Sequence, residues 1–292
     1  MQASEITRVA VLGAGAMGAG IAQTFAQAGI AVTMRDVEQG FVDAGFRRIT
    51  DPLMRRVERG KMTKTEVEAI VGRIQGTVPL EESVKGAQLV VEAVPEKMAI
   101  KKEVYAAIDR VCPPEVVFAS NTSSLSITEM ANVTKRADRF VGMHFFNPAP
   151  VMKLVEVIRG SETSDATAAF AKDLCVRLGK EPVEVREAPG FVVNRLLVPM
   201  MNEAFNLLQE GVATAEDIDK AMRLGTNMPM GPLELADFTG LDIGLDTMET
   251  LFRETGDPRF RPSPLLRKYV RAGRLGRKSG KGVFDYTAGK TG

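Results

Sequence analysis

The sequence predicts an α/β protein: a doubly wound sheet carrying an inserted helical hairpin, followed by a smaller all-α domain. Three observations predict it. Short apolar runs alternate with helix-length amphipathic segments from Arg8 to Val185, the pattern of strands joined by crossover helices. A glycine-rich turn, Gly13-Ala14-Gly15-Ala16-Met17-Gly18, follows the first run at once. Beyond Pro189-Gly190 the strand-like runs stop and helical periodicity takes over. The expected domains are residues 1–187, with the hairpin at about 37–75, and residues 188–292.

The first elements come from Val9 to Met34, a stretch without a single charge. Its length would span a bilayer, but Gly13, Gly15, Gly18, Gly20 and Gly29, with Gln23, Thr24 and Gln27, make a poor membrane helix. It reads as a strand at Arg8–Leu12, a helix from Met17 to Ala28 closed by Gly29, and a strand at Ile30–Met34. In a G-x-G-x-x-G turn the first glycine makes the bend and the second leaves room for a pyrophosphate. The third lets helix and strand pack closely, while the helix N-terminus offers its unpaired N–H groups to the phosphates. The motif alone is weak, since ordinary glycine turns match it. Here the flanking elements are right, and Asp36 follows the second strand at the spacing of a ribose-binding carboxylate. Gly13, Ala14, Gly15, Ala16, Met17, Gly18 and Asp36 are therefore expected to hold a dinucleotide in a Rossmann-type sheet. A carboxylate accepts from ribose hydroxyls and repels a 2′-phosphate, which favours NAD over NADP. Arg35, beside it, argues the other way.

Residues 37–75 read as a helical hairpin, with a capping box at Thr63 and Glu66. Its first arm carries Arg47, Arg48, Arg55, Arg56, Arg59, Lys61 and Lys64. Two readings stand: a solvated helix face, or a local phosphate clamp. Strand-like runs then recur at Leu89–Val94, Val116–Ala119, Phe140–Met143, Leu154–Ile158 and Val183–Val185. Ligands of such sheets bind at the carboxyl ends of the strands. There the polar residues gather: Glu96 after one strand, Asn121-Thr122-Ser123-Ser124 after the next and His144 at the end of a third.

Composition excludes several classes. In 292 residues, Lys plus Arg number 38 against 37 Asp plus Glu, so no global field draws the chain to nucleic acid or an anionic membrane. Two cysteines, Cys112 and Cys175, make no disulfide framework, and one histidine leaves no Cys/His set spaced for zinc, so no metal is expected. The first residues carry neither an apolar signal core nor an Arg-rich presequence, and a cytoplasmic location is expected.

That one histidine, His144, is the only imidazole available for acid/base work. Lone histidines among apolar neighbours are more often core residues than catalysts. A partner raises its standing: if the runs flanking Asn147-Pro148-Ala149-Pro150 pair as a hairpin about residue 150, Glu156 lies opposite His144 on the same face. A carboxylate there would fix the imidazole tautomer and stabilise the imidazolium. It would also account for a charge inside Leu154-Val155-Glu156-Val157-Ile158, where the alternative is an exposed strand face.

Four segments together resemble the 3-hydroxyacyl-CoA dehydrogenases: the Gly13–Gly18 turn with Asp36, Ala119-Ser120-Asn121-Thr122-Ser123-Ser124-Leu125, the run from Gly142 to Val157, and Ala188-Pro189-Gly190-Phe191-Val192-Val193-Asn194-Arg195. The chain is most similar to the short bacterial 3-hydroxybutyryl-CoA dehydrogenases, from about Val9 to the Gly276–Gly282 segment. The resemblance implies that His144 exchanges a proton with the substrate 3-hydroxyl, with Glu156 orienting it. It implies that Ser123 hydrogen-bonds substrate and cofactor, and that Asn194 reaches the substrate from the second domain. Glu96, Lys101 and Asn147 match family positions at the nicotinamide end of NAD, and Lys278 matches a C-terminal lysine associated with it. The hairpin is where the family holds coenzyme A, which points to Arg47, Arg48 and Arg55, although Gly45 stands where some members have serine.

The second domain is expected to hold helices at Phe191–Gln209, Ala215–Leu224, Pro232–Asp237, Ile243–Thr255 and Pro264–Ala272. Leu196, Leu197, Met200 and Met201 are apolar positions to be buried within one subunit or across two, and family resemblance implies a homodimer through this domain, with the cleft between domains closing on substrate. The implied activity is NAD-dependent oxidation of an (S)-3-hydroxyacyl-CoA, most simply 3-hydroxybutanoyl-CoA. Alternatives are another acyl-CoA such as 3-hydroxyadipyl-CoA, a sugar acid, or an NADH-binding structural relative without activity. The last would keep the glycine turn while losing members of the Ser123, His144, Glu156 and Asn194 set, and all four are present.

Overall fold

A computed structural model describes residues 2–287, so residues 1 and 288–292 of the two expected domain spans lie outside the described residues. The described chain forms two compact units that divide between Ala188 and Pro189.

The first unit opens with β1 (Arg8–Leu12), α1 (Ala16–Gln27) and β2 (Ala31–Arg35). The inserted hairpin follows as α2 (Gln39–Glu58) and α3 (Lys64–Val71). Thr63 Oγ1 accepts from the Glu66 N–H at 3.2 Å while the Glu66 carboxylate accepts from the Thr63 N–H at 2.7 Å, so the capping box forms at the start of α3. Lys61 and Lys64 do not belong to the first arm: Lys61 lies in the turn and Lys64 opens α3. The expected hairpin also runs too far. Residues 74 and 75 belong to a strand, β3 (Ile74–Thr77), which pairs in parallel with β2. Its sequence, Ile-Gln-Gly-Thr, is too short and too polar to stand out, and as an edge strand it needs only one apolar face.

Then come α4 (Leu80–Val84), β4 (Leu89–Glu92), α5 (Met98–Asp109), β5 (Val117–Ser120), α6 (Ile127–Ala131), β6 (Phe140–Phe145), β7 (Leu154–Arg159), α7 (Asp165–Arg177) and β8 (Glu181–Arg186). The strands form one sheet in the order β3-β2-β1-β4-β5-β6-β7-β8. Pairing is parallel except between β6 and β7, so β7 and β8 run against the rest. The order reverses between β1 and β4, which opens the crevice that doubly wound sheets use for ligands. Val9, Val11, Leu89, Val91, Ala119 and Val141 bury one sheet face against Ile21, Phe25 and other apolar residues of α1, and the runs of buried residues on β1, β4, β5 and β6 reflect cover on both faces.

The second unit contains α8 (Val193–Glu210), α9 (Ala215–Thr226), α10 (Pro232–Thr239), α11 (Leu241–Thr255) and α12 (Pro264–Arg271). Its own core gathers Val198, Phe205, Leu233, Leu241, Met248 and Leu251. Buried Asp237 accepts from the Val283 and Phe284 amides at 2.8 and 2.9 Å, and a Cβ on Gly276 or Gly282 would collide with that aspartate. The glycines of the Gly276–Gly282 segment thus let the chain wrap a buried carboxylate. No helix among the described residues is long and apolar enough to cross a membrane.

Candidate functional site

The ends of β1, β4, β5 and β6 all point the same way, because those strands are parallel neighbours. Three groups of side chains gather along this edge.

The first is the glycine turn. Gly13 takes φ 106°, and a Cβ there would sit 2.4 Å from the Ala93 carbonyl oxygen. A Cβ on Gly18 would fall 1.8 Å from the Gly13 carbonyl oxygen, so only glycine lets turn, strand and helix meet this closely. At Gly15 a Cβ would meet nothing within 4 Å, which is the room a pyrophosphate needs beside bare backbone. Gly15 caps α1 without a side-chain acceptor, so the first N–H groups of this 12-residue helix face that space. Asp36 lies against the turn: its Oδ2 accepts from the Ala14 N–H at 2.7 Å and its Oδ1 from the Val37 N–H at 2.7 Å. Arg35 Nε donates to the Val78 carbonyl at 2.9 Å, and burial lowers its pKa despite the opposing pull of Asp36. One of the five guanidinium N–H donors is thereby engaged by the chain beyond β3. The residues fit a dinucleotide without a 2′-phosphate. Gly45 of α2 packs on the same turn, since a Cβ there would come within 2.9 Å of the Ala14 Cβ.

The second group joins β4, α5 and the loop after β5. Lys101 is 1% exposed and its ammonium lies 2.6 Å from Glu92 Oε1 and 3.1 Å from Glu96 Oε2. Glu96 Oε1 accepts from the Thr122 hydroxyl at 2.5 Å, the Ser123 amide at 2.9 Å and the Ser123 hydroxyl at 3.3 Å. Burial raises the Glu96 pKa, but the Lys101 charge and the Thr122 and Ser123 donors outweigh it and hold the carboxyl below its ordinary range. Lys101 supports Glu96 from beneath instead of standing in the open crevice. Glu92 was not singled out from the sequence, although the signal existed: a charge closing an apolar strand, as with Glu156. Its Oε2 accepts from the Ser120 hydroxyl at 2.7 Å, and Tyr105, whose hydroxyl donates to the Ala119 carbonyl at 2.9 Å, packs over it.

The third group is on β6 and β7. Antiparallel register sets His144 opposite Glu156, and Nδ1 lies 2.7 Å from Glu156 Oε2. Both are buried, at 5% and 1% exposure, so the carboxylate spends its charge on the imidazole instead of on water. The Phe146 ring lies 4.4 Å from the imidazole. The Asn121 side chain accepts from the Phe145 N–H at 2.8 Å, tying the loop after β5 to the end of β6. The turn carrying exposed Asn147 is held by buried Lys180, which donates to the Ala149 and Met152 carbonyls at 2.6 and 2.8 Å. Lys180 carries no sequence signal that would separate it from surface lysines.

The remaining expected residues belong to other elements. Arg47, Arg48 and Arg55 are exposed on α2. Asn194 is the second residue of α8, in the second unit. Lys278 belongs to the same unit and pairs with Asp242, at the start of α11, at 2.6 Å.

Comparison with known proteins is consistent along the chain. A family model described as 3-hydroxyacyl-CoA dehydrogenase, NAD binding domain, matches residues 8–188, and one described as 3-hydroxyacyl-CoA dehydrogenase, C-terminal domain, matches residues 190–286. The chain is similar to a probable 3-hydroxybutyryl-CoA dehydrogenase of Bacillus subtilis, 54% identical over 97% of this chain and 98% of the relative. It is similar to a 3-hydroxybutyryl-CoA dehydrogenase of Clostridioides difficile at 47% identity, covering 96% of this chain and 99% of that one. A crystal structure of (S)-3-hydroxybutyryl-CoA dehydrogenase from Ralstonia eutropha superposes with a TM-score of 0.92 at 48% identity, covering 97% of this chain and all of that one.

Proposed function

The chain belongs to the 3-hydroxyacyl-CoA dehydrogenase family of NAD-dependent enzymes, and from that premise we propose that its substrate pair is (S)-3-hydroxybutanoyl-CoA and acetoacetyl-CoA, with His144 as general acid and base. The observation that carries the assignment is the buried His144–Glu156 pair, Nδ1 to Oε2 at 2.7 Å, at the sheet edge that also bears the glycine turn. The short acyl chain rests on the names of the Bacillus and Clostridioides relatives.

In this reading Glu156 holds the imidazole by Nδ1, and Nε2 exchanges a proton with the 3-hydroxyl. As the alcohol is oxidised, Nε2 takes its proton and Glu156 stabilises the imidazolium; in the reductive direction the imidazolium returns it. The Gly13–Gly18 turn and Asp36 would hold NAD, which would accept the hydride leaving C3 of the alcohol and, as NADH, return a hydride to C3 of the ketone. By resemblance, Glu96 with Lys101 beneath it, Asn147 and Lys278 would border its nicotinamide end. Ser123 and Asn194 hydrogen-bond the reacting oxygens and restrict how the substrate turns. Arg47, Arg48 and Arg55 on exposed α2 give coenzyme A phosphates a cationic surface in an otherwise neutral chain. The protein works in the cytoplasm as a homodimer formed through the second unit, whose surface leaves Leu196 71% and Leu224 78% exposed.

The test is NADH consumption with acetoacetyl-CoA against free acetoacetate. Turnover of the thioester is expected, and it should collapse in His144→Gln while NADH still binds. Equal turnover of both substrates would remove the acyl-CoA assignment, and near-normal rates in the variant would remove the role of His144.

A further inference from the structure

Glu92 is fully buried at the carboxyl end of β4 and touches neither the glycine-turn space nor the imidazole in any contact described above. Its four polar contacts nevertheless make a pattern. Oε1 takes the Lys101 ammonium at 2.6 Å and the Val94 N–H at 2.8 Å; Oε2 takes the Ser120 hydroxyl at 2.7 Å and lies 3.4 Å from the Tyr105 hydroxyl. Two of these lead to the same loop by separate routes. Lys101 continues to Glu96, which accepts from the amides of Ser123 and Ser124 at 2.9 and 3.3 Å. Ser120 Oγ, while donating to Glu92, accepts from the Thr122 N–H at 3.2 Å.

We propose that Glu92 is a positioning residue for the reaction, fixing the orientation of Ser123 through Lys101 and Glu96 on one side and through Ser120 and Thr122 on the other. This rests on the assignment of Ser123 to the reacting groups given above.

The physical case is one of geometry and charge. A buried ion pair is a poor way to stabilise a fold, since an apolar pair of similar volume usually does as well. A lysine with one carboxylate partner could follow Glu96 as that half-exposed side chain moves. Lys101 has two, and the deeper one is fixed by two further donors, the Val94 N–H just beyond β4 and the Ser120 hydroxyl of β5, so the ammonium cannot follow. Glu96 must then come to Lys101, and the turn hanging from Glu96 inherits that position. Ala93, the residue after Glu92, presses its carbonyl on Gly13, so the same strand end also sets the glycine turn. One buried carboxylate therefore references both sides of the site to the sheet.

The experiment is a double-mutant cycle between Glu92→Gln and Ser123→Ala, read as kcat for acetoacetyl-CoA reduction, with NADH affinity followed by fluorescence. Glutamine keeps the size but removes the charge and replaces one of the two acceptor oxygens by a donor, which breaks the link on at least one side. If Glu92 acts through Ser123, Ser123→Ala lowers kcat about tenfold or more in the wild-type background and less than about threefold in the Glu92→Gln background. Equal factors in the two backgrounds, whatever the size of the Glu92→Gln effect, would overturn the proposal, because a merely structural role gives independent losses. Glu92→Gln with Lys101→Met removes both members of the pair, so no buried charge is left alone if the single variant folds poorly. The same loss of coupling is expected there, and its persistence would equally overturn the idea. Failure of the parent reading looks different: the wild-type protein would not reduce acetoacetyl-CoA, or Ser123→Ala would change nothing in the wild-type background.

Discussion

Replacing Glu156 by glutamine isolates the electrostatic part of the proposed mechanism. The amide is nearly isosteric and its oxygen can still accept from imidazole Nδ1, so the 2.7 Å contact and the tautomer survive. What is lost is a negative charge beside the imidazolium in a place where both partners are almost fully buried. With charge centres about 4 Å apart and an effective dielectric constant of about 20, their attraction is about 4 kcal/mol. A neutral hydrogen bond retains about 1 kcal/mol of that. The remaining 3 or so kcal/mol corresponds to roughly a hundredfold in rate. We expect kcat for NADH-dependent reduction of acetoacetyl-CoA to fall by about that factor, with NADH affinity within about twofold. The variant should fold, because the amide keeps the size and the hydrogen bond of the carboxylate. Reduction draws its proton from the imidazolium, the form that the Glu156 charge stabilises, so the loss should fall on that step. A glutamine variant with kcat within about threefold of wild type would refute the reasoning.

Two further predictions concern the frame of the site. Lys180→Met removes the ammonium that two carbonyls of the β6–β7 turn share, while also removing a cation whose pKa burial depresses; the net loss of unfolding free energy should be about 1–3 kcal/mol in a denaturant titration. Unchanged stability would mean that the turn is held by other contacts. Burial pushes the Cys112 thiol up to about 11, against Arg136 and with Asp109, and the Cys175 thiol up to about 12, against Lys180. Deprotonation, and with it nucleophilic reactivity, therefore begins only at strongly alkaline pH. The native protein should resist a thiol reagent at about pH 8 and release both thiols only on unfolding, so a fast-reacting native thiol would contradict the burial.

Much of the fold was legible because it rests on local regularities. The Gly13–Gly18 turn, Asp36 beyond the second strand and the charge-free run between them announce strand, turn, helix and strand without any distant contact. The register of His144 with Glu156 followed from strand periodicity about one turn, and it is the register of β6 and β7 in the structure. The strand at Ile74–Thr77 was not legible, since an edge strand of mixed polarity carries too little pattern and only pairing with β2 makes it one. Nor could the sequence say that Lys101 turns inward.

What the sequence by itself determined was the inventory: one histidine, a carboxylate to face it, a glycine turn with an acidic residue at the ribose-binding distance, and a change from alternating to helical periodicity at Pro189. Periodicity and steric demands of single residues act over a few positions, so they survive without a partner chain segment. What only the tertiary structure decided was which polar groups meet. Glu92, Lys101, Glu96 and Ser123 come from two strand ends and a helix, and Lys180 reaches the turn at Ala149 from beyond α7. Buried charges take whatever partner the packing brings within about 3 Å, and that choice depends on crossover geometry and not on spacing along the chain.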